Sequence, residues 1–138
     1  MLQDVFRIAA SALSAESLRI TLSAQNLANS DSIVTPDGGA YQRQEPVFET
    51  APVDGAGDSQ ALGVRVAAVV RDARPPRMEY DPGNPLANSD GMIAKPAVDP
   101  IFELIDLMEA TRVYQANLAA AQSAKSDMLA AVNSLSMV

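Results

Sequence analysis

The chain has 138 residues, a formal net charge of −7, and neither cysteine nor histidine. That length suits one domain, and the missing residue types exclude disulfides, thiolate nucleophiles, Cys- or His-ligated metals and Ser-His-Asp triads. The acidity argues against nucleic acid or an anionic membrane surface as a partner, since either needs a basic face.

Hydrophobic residues make up 48% of the chain, but alanine supplies much of this, with three Phe, three Tyr and no Trp. Several thin packing seams are therefore expected in place of one thick core. Residues 1–30 are neutral, 31–99 carry −5 and 100–138 carry −2, so the middle of the chain is expected to be the most solvent-exposed part.

Residues 3–28 read as a long helix. Phe6, Leu13, Ile20 and Leu27 are spaced by seven, with Ala10, Ser17 and Ala24 between them, which makes a narrow seam rich in small residues. Asp4 suits the positive end of the helix dipole. Asn29 is expected to stop the helix in the left-handed conformation that asparagine tolerates. The N-terminus does not read as a cleaved signal, because Asp4 sits where positive charge belongs and Arg7 interrupts the apolar run. No apolar run reaches the ~18 residues of a membrane helix, so export, if it occurs, is expected by another route.

Residues 31–98 hold all seven glycines and every proline except Pro100. Asp37-Gly38-Gly39 is a turn signal. Residues 41–49 read as extended, with Val47 and Phe48 at the end, and residues 51–61 as a mobile loop. Val64, Val66, Val69 and Val70 mark a β-branched strand. Arg74-Pro75-Pro76-Arg77 is stiff, and short strands are expected at 78–80 and 91–95, flanking a rigid Asp81-Pro82-Gly83-Asn84-Pro85 turn. The sum is a small β-rich insert.

Residues 99–138 open with Asp99 in a capping slot and Pro100 in the first turn, after which neither glycine nor proline occurs. Leu107, Tyr114, Ala121, Met128 and Leu135 fall seven apart, and Ala110, Asn117, Ala124, Ala131 and Val138 follow each by three. This is an a/d seam with one polar member, Asn117. Leu104, Leu118 and Val132 widen it on one flank. A helix of some 36 residues at about 1.5 Å each spans about 54 Å, whereas a globule of this size is nearer 40 Å across. Such a helix needs neighbours: the N-terminal seam and other chains. The fold class is therefore α+β, with helices at 1–30 and 99–138 packed as a coiled-coil-like module around the insert 31–98.

No catalytic constellation emerges. Asp54 and Asp58 fall in a loop, and Glu103 and Asp106 read as a helix surface. Gly55, Gly57 and Gly63 do not match a phosphate loop. The Asp81-Pro82-Gly83-Asn84 string lacks the ligand pattern of a calcium loop. Arg74 and Arg77 read as a surface contact. Neither an enzyme, a cofactor nor a small-molecule substrate is expected. What remains, packing seams and rigid turns, is the material of assembly.

Asn26-Leu27-Ala28-Asn29 resembles the signature near the end of the N-terminal helix in bacterial flagellar rod and hook proteins. Tyr114-Gln115-Ala116-Asn117, preceded by Met108 and Arg112, resembles their C-terminal signature. Tyr80-Asp81-Pro82-Gly83-Asn84-Pro85-Leu86-Ala87-Asn88, followed by Gly91 and Val98-Asp99, is similar to proximal-rod members of that family, as is Gly39-Ala40-Tyr41 with Pro46-Val47-Phe48. The likeness covers nearly the whole chain; Ala97, where asparagine is expected, and Pro100 depart from it.

The resemblance implies a structural subunit of the basal-body rod, which crosses the periplasm, transmits torque and encloses the export channel. Its terminal helices would form the inner layer. Its partners would be other copies, other rod subunits and the flagellar type III export apparatus, which exports such chains without a cleaved signal peptide. Phe6 and Ala10 are similar to a short export signal, and Phe6 is equally a seam residue. Asn117 and Gln115 are expected to fix register between C-terminal helices, Asn26 and Asn29 to end or bend the N-terminal arm, and the ends of a free subunit to order only on assembly. The alternatives are a sibling rod subunit, which length and the central string disfavour, and a soluble helical adaptor or export chaperone.

Overall fold

A computed structural model describes residues 2–53 and 61–135. The elements in order are helix α1 (Leu2–Ala28), strands β1 (Gln44–Pro52), β2 (Leu62–Arg71), β3 (Arg77–Tyr80) and β4 (Met92–Lys95), and helix α2 (Pro100–Leu135). This is the expected α+β arrangement of two long helices around a small β insert. The strands form two separate antiparallel pairs, β1 with β2 and β3 with β4.

Local chemistry explains the helix ends. At α2, Asp99 Oδ1 accepts the N–H groups of Ile101 at 2.9 Å and Phe102 at 3.4 Å, and Pro100 occupies the first helical position, where no donor is needed. At α1 the stop differs from expectation: among the described residues no non-glycine residue has positive φ. Asn29 instead closes the helix with its side chain. Its backbone N–H and its Nδ2 both donate to the Gln25 carbonyl, at 3.0 and 2.9 Å, while its Oδ1 accepts from Ser32 Oγ at 3.1 Å.

The β1–β2 pair is in register from Gln44 opposite Arg71 to Pro52 opposite Leu62, with a bulge between Val47 and Phe48. Residues 54–60 of the expected loop, including Asp54, Asp58, Gly55 and Gly57, lie outside the described residues, as does Val138; residues 51–52 prolong β1. Gly63 is where β2 meets α1: a Cβ there would sit 2.4 Å from Ser11 Oγ and 2.7 Å from Val53 Cγ1. Ser11 Oγ also accepts the Val64 N–H at 3.2 Å. The β3–β4 connection is built by two asparagines. Asn84 Oδ1 accepts from Leu86 N–H, and Asn88 Oδ1 accepts from Asp90 and Met92. Gly91 has φ of 73°, and a Cβ would lie 2.9 Å from the Tyr80 ring, so glycine is required there.

The core is thin. Among the described residues the buried apolar side chains are Ala15, Leu22, Val53, Ile93, Val98 and Ala110. The largest fully buried side chains are Glu103, Val98, Asn26 and Pro96, so two of the four are polar. Burial of that kind requires partners, and these tie the two helices together.

Candidate assembly site

α1 and α2 run antiparallel, and one end of their contact is a polar joint. Asn26, 1% exposed, is its centre. Its Nδ2 donates to the Gln44 carbonyl at 2.9 Å and to Glu103 Oε2 at 3.0 Å. Its Oδ1 accepts from Gln44 N–H and Tyr41 Oη, both at 2.9 Å. Glu103 is completely buried, and its other oxygen accepts from Arg43 Nε. Arg43 also pairs with Glu45 and lies 5.6 Å from the centre of the Phe102 ring, a cation–π arrangement. One asparagine thus joins α1, the first strand of the insert and α2. Burial and the Glu103 carboxylate push the Tyr41 phenol above its ordinary value.

One turn further along, Arg19 pairs with Asp106, whose Oδ2 accepts from Ser23 Oγ at 2.7 Å. Burial acts to raise the Asp106 carboxyl, but hydrogen bonds from Arg19 and Ser23 outweigh it and the value falls below normal. Arg19 also faces Glu16 at 3.7 Å and Glu109 at 3.9 Å. Glu16 Oε2 is buried without a hydrogen bond. Burial raises the Glu16 carboxyl; Arg19 opposes this, while the Asp106 and Glu109 charges add to it.

Past the joint, the less exposed positions of α2 are Thr111 and, on the seam line, Leu107, Ala110, Tyr114, Asn117, Ala121, Ala124 and Met128. The seam-line residues have the seven-residue spacing and lie toward α1. Every residue from Leu129 to Leu135 is exposed, Leu135 at 78%, and Leu104, Leu118 and Val132 are exposed on the flank. α1 turns inward a different line from the expected one. Ala15, Leu22, Ser23 and Asn26 are buried, Phe6, Leu13, Ile20 and Leu27 are half-buried, and Ala10, Ser17 and Ala24 are exposed. The reason is that α1 packs against the β1–β2 pair as well as α2, so two neighbours together decide which residues are covered. Ala15 and Leu22 lie two residues from Leu13 and Ile20, about 200° around the helix.

The outer face of α2 is apolar where it begins. Ile101, Leu104, Ile105 and Met108, spaced as one helix face, are 71%, 47%, 57% and 50% exposed. Arg112 and Gln115 continue this row. The C-terminal motif is therefore divided: Tyr114 and Asn117 lie on the α1 side, and Arg112, Gln115 and Ala116 face solvent. In the central motif Tyr80 and Leu86 are exposed, at 69% and 56%, as are Pro82, Gly83 and Pro85, while Asn84 is half-buried in the turn.

Two expectations are corrected by these positions. Glu103 and Asp106 do not sit on a helix surface; they carry the α1–α2 joint. Asn26 does not end α1, which continues to Ala28. The one signal that could have found the joint was Glu103 falling seven residues before Ala110, on the seam line itself. Among the described residues no group of three or more acidic side chains could hold a metal, and no helix is long and apolar enough to cross a membrane. The cleft of about 600 Å³ beside the 35–42 turn contains Arg71 and Arg74, which pair with Asp37 at 3.2 Å and Asp72 at 2.5 Å.

A pair of long helices with an exposed apolar face, tied to a small insert by buried polar groups, defines a structural assembly subunit. The family model described as flagellar basal body rod FlgEFG protein C-terminal matches residues 89–135, the end of the β3–β4 loop, β4 and α2. The flagellar basal-body rod protein FlgC of Salmonella typhimurium is 43% identical over 93% of both chains, and that of Escherichia coli O6:H1 is 42% identical over the same share. The FlgC protein of Borreliella burgdorferi is 34% identical over 86% of this chain and 88% of its own. The chain belongs to the FlgC family of flagellar basal-body rod proteins. Its role is that of a structural subunit of the rod, not an enzyme.

Proposed function

We propose that the chain polymerises with copies of itself and with other rod subunits into the proximal rod, the periplasmic drive shaft that transmits torque and encloses the export channel. Its helices form the layer around the channel, and the insert faces outward or against neighbouring axial proteins. The observation that carries this reading is the outer face of α2, where Ile101, Leu104, Ile105 and Met108 stand in solvent beside an otherwise well-tied helix pair. A contiguous apolar row of this kind marks an interaction surface. The half-buried Phe6, Leu13, Ile20 and Leu27 on α1 supply the facing contact, and Gln115, on the solvent side of α2, adjusts register between neighbouring α2 helices, whereas Asn117 faces α1 of its own subunit. Ile105→Glu tests the reading: the subunit stays folded, while rod assembly and swimming are lost. Normal swimming by that variant would overturn it.

The chain reaches the rod through the flagellar type III export apparatus without cleavage of a signal peptide, using the region around Phe6 and Ala10. Deleting residues 3–10 would block its secretion; undiminished secretion would refute this route.

A further inference from the structure

We draw no further inference here: the strongest candidate, the outward edge of β2 between Val66 and Arg71, where Val69 and Val70 stand in solvent and β1 is the strand's one partner among the described residues, carries nothing because nothing in the structure shows what covers it.

Discussion

The two ends of the helix pair are built on different principles. Where α1 ends and α2 begins, the contact is polar, dry and specific: Asn26, Arg43 and Glu103 are all buried and all bonded. Where α1 begins and α2 ends, the seam is alanine-rich and stops at Met128, after which everything described is exposed. Buried polar groups are costly unless fully paired, so they tolerate one geometry. Small apolar residues pack weakly at ~25 cal/mol/Å² and tolerate several. A subunit that must hold its shape and still offer surface to neighbours benefits from placing the first at one end and the second at the other.

The contrast can be broken most severely at the polar end. Arg43→Ala strips the cation from a fully buried Glu103, and denaturant unfolding should show a loss of about 3–5 kcal/mol. Asp99→Ala removes only the N-cap of α2 and should cost about 1 kcal/mol in the same measurement.

Glu16 gives a smaller effect with a sign of its own. Its carboxyl is raised above 4.5, so its stabilising contribution is complete below 4.5 and is lost as pH rises through the folded value. Asp106 is lowered below 3.8, so its contribution is present above 3.8 and lost as pH falls through the folded value. Relative to Glu16→Gln, the parent should therefore gain stability as pH is taken from neutral toward 4.5, while both proteins lose the Asp106 contribution below 3.8. A pH series of unfolding curves checks this, and a parallel course for parent and variant would contradict it. At the far end, Val132→Ser should change the stability of the isolated subunit by no more than about 0.5 kcal/mol, yet reduce swimming in soft agar.

Much of this architecture was legible in residue spacing. The α2 stripe follows from Leu107, Tyr114, Ala121 and Met128, its start from Asp99-Pro100, the second strand from its β-branched valines, and the other three from extended segments beside turn signals. The α1 stripe was harder to read, because a helix covered by two neighbours has no single apolar line, and Leu13 and Ile20 compete with Ala15 and Leu22. The polar joint was not legible. A glutamate on a helix is usually solvated, and only its place on the seam line, seven residues before Ala110, sets Glu103 apart from Glu109. Its burial depends on Asn26 and Arg43, 77 and 60 residues away in the chain, a coincidence that only the fold creates. The same holds for Gly63, whose need for glycine comes from Ser11 on another element.

The most direct test of the assembly role is chemical protection of the outer face of α2. A single cysteine at Ile105, in a chain with no other, should react readily with a maleimide in the isolated subunit and be protected in purified basal bodies. Equal labelling in both states would show that this face remains in solvent in the rod and would contradict an assembly role for it.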